Sequence, residues 1–479
     1  MTGRHSVEKI GGTSMAATST LFDNVLIAGR SGAELYDRIF VVSAYAGMTD
    51  LLLEHKKTGE PGVYGHFAAN DAEGSWRAAL DSVGAAMRAR NAGMFARSES
   101  LAEADRFVDL RTEALHLCLE DLDRLRSHGR FCLKAQMVTV REMLAGLGEA
   151  HSAHSTALLL RDRGVDAVFV DLTLWKQDDM ASLDARITDA LAGIDFSRVM
   201  PIVTGYAGCK DGMVSRYARG YSEMTFSRIA VLTGAREAII HKEFHLSSAD
   251  PKLVGEDKAR KIGRTNYDVA DQLANVGMEA IHPRAGRGLR QADIPLRVRN
   301  TFDRADEGTL IRGDYVSDRP RVEIVTGLRN VHALQFFEQD MVGEKGYDAA
   351  ILDVLARHRA WIVSKSSNAN TITHYLSADA AVVAQAIADL ETVYPGAAVS
   401  SEPVAMVSVI GSDISEPGLV PRALRALERA GIEMMAMQHQ IRNVDVQFIV
   451  ARESFDAAIR ALHEALVDTS ASAPGRAAA

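Results

Sequence analysis

The sequence predicts an α/β chain in two parts: a largely parallel sheet covered on both faces by helices, then a smaller α+β part built on an internal repeat. Three observations predict it. Strand-like and helix-like segments alternate to about residue 312, the pattern contracts after Asp314–Pro320, and two stretches beyond that point superpose at constant offset. At 479 residues the chain exceeds one ordinary core, so two to four domains are expected.

"SVEKIGGTSMAATSTLFDNVLIAGR" reads as strand, glycine turn and amphipathic helix, and "RIFVVSAYAGMTDLLLEHK" repeats that plan. From Ala69 to about Leu160 the pattern is mostly helical, with apolar residues three and four apart in "FVDLRTEALHLCLEDLDRLRSHG". Alternation resumes with "GVDAVFVDLT", "RVMPIVTGYAG", "AREAIIHKEFHLS" and "IPLRVRNTF". In the second part Glu344 falls on Glu416, Gly346 on Gly418, Leu352 on Leu424, Leu355 on Leu427 and Arg357 on Arg429. Flanking strands ("RVEIVTGL", "NTITHYLS", "VAMVSVIGS", "DVQFIVA") make each unit part of a β-α-β-β-α-β pattern.

Hydrophobic content of 47% and charged content of 24% are those of a soluble globular protein. A net charge of −9 argues against a general nucleic-acid or membrane-surface binder, so anionic substrates would need local Lys and Arg. Cys118, Cys132 and Cys209, with no C-x-x-C, fit a reducing cytoplasm. No stretch has the length and apolarity of a signal peptide or membrane span, and a cytoplasmic location is expected.

Five segments carry candidate chemistry. In "EKIGGTSM", Lys9 precedes Gly11, Gly12, Thr13 and Ser14 at a strand–helix turn, which suits phosphate: glycine backbone approaches closely and Lys9 neutralises charge. The Lys precedes the glycines, so this is not a Walker A motif, and such a turn is as often structural. Ser43 closes a buried strand and Thr49 opens the next helix, where open α/β sheets bind ligands and where helix caps also sit. Glu149 and Ser152 read as a helix start, with a capping or solvated Glu as the plain account. In "ARGYSEMT", Arg219 suits a carboxylate clamp, Ser222 stands at a helix start, and Glu223 suits either Mg²⁺ or the positive helix end. In "HKEFH", His241 and His245 raise a metal site. The zinc-protease pattern instead places Glu directly after the first His on a helix, and a strand would put His241, Glu243 and His245 on one face with Lys242 on the other.

Together these segments resemble the aspartate kinases, within the amino-acid kinase superfamily. Lys9–Ser14 resemble that family's K-F-G-G-T-S, "VVSAYAGMTDLLL" its V-V-S-A-x-x-x-x-T-[DN], and Gly148, Glu149 and Ser152 its G-E-x-x-S. "ARGYSEMT" is similar to G-R-G-G-S-D-x-T, "SSADPKLV" to Y-T-[AT]-D-P-R-x-V, and "VRNTFDRADEGTLI" to V-K-N-T-F-x-P-x-x-x-G-T-L-I. The resemblance is collinear over nearly the whole chain. It implies a three-layer αβα amino-acid kinase fold at 1–312, then paired ACT (ferredoxin-like) modules at 320–400 and 401–468 and a flexible tail at 469–479.

The implied reaction is ATP plus L-aspartate giving 4-phospho-L-aspartate and ADP, with Mg²⁺ brought by ATP. Lys9, Arg219 and Glu223 take catalytic roles; Ser43, Thr49, Glu149, Arg219 and Ser222 bind aspartate; Lys9, Gly11, Gly12, Thr13, Ser14, His241, Lys242, Ser247 and Lys252 surround ATP. No metal is implied on protein ligands alone, apart from Glu223 beside Mg²⁺. The ACT pair implies an amino-acid effector near 340–347 or 412–419 and a homodimer or higher homo-oligomer.

Departures cluster around the expected nucleotide. Tyr221 replaces a Gly, Glu223 an Asp, His241–His245 the family's T-D-V-D-G, Ser247 a Tyr and Lys252 an Arg. These departures, with "HKKTGEPGVYG" and "SNANTITHYL", resemble the subgroup associated with ectoine biosynthesis. The alternatives are a kinase for another acidic amino acid and a catalytically weak amino-acid sensor.

Overall fold

The computed structural model describes residues 3–56, 58–69, 74–173, 181–217, 220–278 and 280–467. Two compact units divide the chain: 1–245 with 281–313, and 246–280 with 314–479. The sequence reading carried the first domain unbroken to 312, whereas 246–280 pack with the second unit. Ala249, Leu253 and Val254 join a core with Val407, Leu427 and Phe448, and Ser248 bonds His463 across 2.8 Å. Local periodicity carries no sign of such a long-range exchange.

In the first unit, strands β1 (Ser6–Ile10), β2 (Arg38–Val42), β3 (Ala167–Val170), β4 (Met200–Thr204), β5 (Glu237–Lys242), β7 (Leu296–Asn300) and β8 (Thr309–Arg312) stand in the order β3-β4-β2-β1-β5-β7-β8. The short β6 (Arg264–Asn266) belongs to the second unit. Pairings among β1–β5 and β7 are parallel, and β7–β8 is antiparallel. β2 and β4 are buried at every residue, as expected of continuous β-branched strands covered on both faces. Leu21, Phe22, Phe40, Val42, Leu160 and Ile202 fill one of the cores.

The helix Lys134–Asp162 runs unbroken through Gly146 and Gly148. Glu149 is therefore mid-helix, not at the helix start that its Gly-Glu junction suggested. Gly148 serves close packing: a Cβ there would meet Ala44 Cβ at 3.0 Å and Leu52 Cδ1 at 3.2 Å. The loop after β2 thus lies directly on this helix.

The second unit holds an antiparallel sheet ordered β10-β11-β9-β12-β14-β13, from β9 (Ile324–Phe337), β10 (Trp361–Ser367), β11 (Thr371–Ser377), β12 (Ala398–Ile410), β13 (Met434–His439) and β14 (Asp445–Ala451). Gln438 of β13 accepts from Ser364 of β10 at 2.6 Å and donates to the Lys365 carbonyl, so the two edge strands meet and the sheet curls toward a barrel. The repeated segments form matched helices, Tyr347–Arg357 and Leu419–Arg429. Each is preceded by a left-handed glycine, Gly346 at φ 105° and Gly418 at φ 84°, a conformation that costs an L side chain roughly 1–2 kcal/mol. The expected boundary at 400/401 falls inside β12, which pairs with β9 along nearly its full length. One core lies under the outer halves of these strands (Leu334, Phe336, Ile351, Leu390) and another under the inner halves (Val325, Val407, Leu427, Phe448).

Candidate active site

The parallel strands of the first unit end together at Ile10, Val42, Thr204 and Lys242, and the polar candidates gather there. This is the edge where open α/β sheets hold ligands. Lys9, on the last turn of the β1 pleat, reaches Glu223 of the helix Tyr221–Thr233, with Nζ 3.6 Å from Oε1. The other Glu223 oxygen accepts the backbone N–H of His282. Burial opposes ionisation of Glu223, but Lys9, Lys242 and that N–H outweigh it and hold its carboxyl below the ordinary value.

Glu149 is 2% exposed, and its Oε1 accepts the Ser222 hydroxyl at 2.7 Å. Its Oε2 has no hydrogen bond among the described residues and faces Gly205, where a Cβ would come within 2.8 Å. Burial raises its pKa to about 7, against the downward pull of Ser222, Lys9 and the nearby Tyr206 and Ala44 peptides. A buried carboxylate with a spare oxygen suits a cationic group. Ser152 donates to the Ser43 carbonyl at 2.8 Å, tying the end of β2 to the same helix. Thr49 is half-buried in the first turn of Met48–Leu52.

The glycine turn places Gly11 before a short helix, Gly12–Ala16. A Cβ at Gly12 would lie 2.8 Å from the Ala44 carbonyl oxygen, so the turn packs against the loop after β2 only without a side chain. Thr13 is exposed, whereas Ser14 is buried and accepts the Thr301 hydroxyl at 2.8 Å, which commits it to holding the turn. Arg219 lies outside the described residues. Ser247 and Lys252 belong to the second unit: Ser247 donates to the Ala249 carbonyl at 2.7 Å, and Lys252 is exposed after the Asp250 cap.

The two histidines of "HKEFH" separate. His241 lies on the sheet face opposite Lys9, where its Nε2 meets Glu8 Oε2 at 2.8 Å; the carboxylate only accepts, so Nε2 carries the hydrogen. Burial keeps His241 below its ordinary pKa despite the pull of Glu8. His245 instead lies between Asp303 and Asp306, at 3.3 and 3.4 Å through its two ring nitrogens. These three side chains could group their ligand atoms within 4.8 Å, but each imidazole nitrogen already faces a separate carboxylate. His241 and His245 thus share no centre. Lys242, on the Lys9 side, is the member of the stretch that acts on Glu223.

Two supports escaped the sequence reading. Glu142 is buried and accepts from Tyr206 Oη (2.8 Å), the N–H groups of Met213, Val214 and Ser215 (3.0, 3.0 and 2.9 Å) and Ser215 Oγ (3.0 Å). It anchors the segment that leads to Arg219. The only signal was an acidic residue inside the apolar run "VREMLAGLG". His282 is the other: its ring lies where a Gly220 Cβ would sit, at 2.5 Å, which explains the glycine before the active-site helix.

A model of the amino acid kinase family matches residues 6–300. Aspartate kinase Ask_Ect of Stutzerimonas stutzeri (strain A1501) is 50% identical over 464 residues, covering 97% of this chain and 98% of that protein. The chain belongs to the aspartate kinases. An aspartokinase of Geobacillus stearothermophilus is 26% identical, covering 68% of the aspartate kinase described here and 81% of its own length. The fold is that of E. coli aspartokinase III, crystallised in complex with aspartate and ADP (R-state): TM-score 0.71, 20% identity, 97% of this chain and 100% of that one. No helix among the described residues is long and apolar enough to cross a membrane.

Proposed function

We propose that the chain transfers the γ-phosphoryl group of ATP to the side-chain carboxylate of L-aspartate, giving 4-phospho-L-aspartate and ADP. The observation that carries this reading is the Lys9–Glu223 ion pair at the strand ends together with the incompletely satisfied Glu149. The attacking carboxylate, with an ordinary pKa of about 3.9, is ionised at neutral pH and needs no general base. The task is to bring two anions together in line and offset their repulsion.

Lys9 takes the charge that builds on the transferring and leaving oxygens, with the Gly11–Ser14 turn as backbone cradle. Glu223 fixes Lys9. Both of its oxygens are engaged, by Lys9 and by the His282 N–H, so Glu223 is committed to Lys9 rather than to a metal. Mg²⁺ arriving with ATP would supply neutralisation of phosphate charge. Glu149 accepts the substrate ammonium at Oε2; the arriving cation lowers its pKa, and any proton it holds passes to bulk water. Ser222 orients Glu149, Ser43 and Thr49 line the aspartate position, and Arg219 clamps the α-carboxylate. Around the nucleotide, Lys242 takes the role expected of the "HKEFH" stretch; His241 does not, because it faces away.

In the second unit we assign an amino-acid effector to the glycine-led starts of the repeat helices, and homodimerisation to the same modules. We assign the product to ectoine biosynthesis, which the subgroup resemblance supports, and the enzyme to the cytoplasm. A hydroxamate assay for acyl phosphate with ATP and Mg²⁺ tests the reaction: aspartyl hydroxamate is expected, with none from glutamate or N-acetylglutamate. No aspartyl hydroxamate with any nucleotide sinks the reading.

A further inference from the structure

The face of β1 opposite Lys9 carries a second charged construction. Glu8 receives Arg38 twice, at 2.8 and 3.1 Å, together with His241 and the Ser6 hydroxyl, all buried. Arg38 also donates to the Val25 and Leu26 carbonyls, both at 2.8 Å. This saturated cluster is the floor of a cavity of about 210 Å³, walled by the turn around Asn24 and Val25 and by the segment Arg30–Tyr36.

Three further arginines line that cavity: Arg30 and Arg299, half-buried, and Arg236, exposed at the rim. None of the three makes an ion pair among the described residues. Arg299 donates to the Arg304 and Asp306 carbonyls, and Arg30 reaches the Val25 carbonyl at 3.5 Å. Of the lining carboxylates, Glu8 is consumed by Arg38 and His241, and Glu237 by Arg297 at 2.8 Å. Glu34 remains, but it is exposed at the rim, where water screens it. Burial, with repulsion from Arg38, Arg299 and Arg304, lowers the pKa of Arg30 against the pull of Glu8. Concentrating unpaired guanidinium groups in a recess costs free energy that an anion would return. It does so on a chain whose overall charge is −9, so the excess is local.

We propose that this cavity binds a small oxyanion, inorganic phosphate or a phosphomonoester, between Arg30, Arg236 and Arg299. Guanidinium forks match tetrahedral oxyanions geometrically and bind them with paired, charge-assisted hydrogen bonds. The space is below the roughly 300 Å³ at which pockets begin to take drug-sized ligands, which excludes a nucleoside triphosphate. The site is separate from the phosphoryl-transfer site, since Glu8 and Lys9 are successive residues on opposite faces of β1. It does not depend on the proposed reaction.

Calorimetric titration of the full chain tests this, with the Lys9→Ala variant as background to silence the transfer site. Saturable binding of inorganic phosphate is expected there, weakened at least about tenfold when Arg30→Gln and Arg236→Gln are added, the equivalent of one charged hydrogen bond. A parallel titration with glycerol 1-phosphate separates the sources: tighter binding assigns the site to a phosphomonoester, equal or weaker binding to free phosphate. Because Arg236 is exposed, Arg236→Gln alone carries the test if the double change unfolds the chain. No phosphate binding in the Lys9→Ala background, or binding untouched by the arginine changes, overturns the proposal.

Discussion

The two faces of β1 show what separates a structural ion cluster from a reactive one. On one face, each polar atom of Glu8 has a protein partner, and the carboxyl is held well below its ordinary pKa: burial opposes this, and Arg38 and His241 outweigh it. On the other, Glu149 keeps a bare Oε2 and a pKa of about 7. Glu8 and Lys9, successive residues of one strand, therefore belong to constructions of opposite kind. Saturated charge contributes to the fold, and in the proposed reaction the unsaturated charge serves the substrate.

The contrast has a sign in pH. Glu8, lowered in the fold, contributes stability above the unfolded carboxylate range that is lost as pH falls through its folded value. Glu149, raised in the fold, does the reverse: between its ordinary 4.5 and about 7 the folded state holds the extra proton, so stability declines as pH rises through that window.

The largest expected effect breaks the reactive face. Lys9→Ala should lower kcat by about 10²–10³-fold, the scale of losing one preorganised electrostatic contact, with aspartate binding by calorimetry largely kept. Unchanged turnover would remove Lys9 from the chemistry. Next, Glu149→Gln should raise KM for aspartate about a hundredfold, the cost of a lost charge-assisted pair. The same variant should be more stable than the parent at pH 8, by at most roughly 3 kcal/mol, with the gain gone by pH 4 in denaturant melts. A variant less stable at pH 8 would mean that Glu149 is structural.

Smaller effects sharpen the comparison. Glu142→Gln should cost about 2–3 kcal/mol of stability and raise KM for aspartate more than it lowers kcat, because it acts through the segment leading to Arg219. A fall in kcat with KM unchanged would place the effect of Glu142 in the transition state instead. Least of all, His241→Asn should leave kcat and the KM for ATP unmoved while lowering stability by about 1 kcal/mol, since Glu8 loses one of several donors. A large rise in KM for ATP would return His241 to the nucleotide.

Much of this was legible in the chain. The K-x-G-G turn, the strand after it and the Gly346/Gly418 correspondence are local signals, and each stands where its pattern put it. Alternation also separated Lys242 from His241 correctly. It carried no information on which face Lys9 would share, because that depends on register between β1 and β5, strands more than two hundred residues apart. Glu149 was misplaced for a related reason: glycines that read as a helix boundary are there so a loop can lie on the helix. Glu142 and the departure of 246–280 to the second unit rest on contacts that sequence periodicity does not encode.

The long strands β9 and β12 have a consequence for how the second unit comes apart. Each runs from one repeat core into the other, so no seam exists along which either module could open while its neighbour stays intact. Calorimetry of this unit should record a single heat-absorption peak for both modules. A twist imposed on the outer halves of the two strands must likewise be carried along the same backbone to the inner halves.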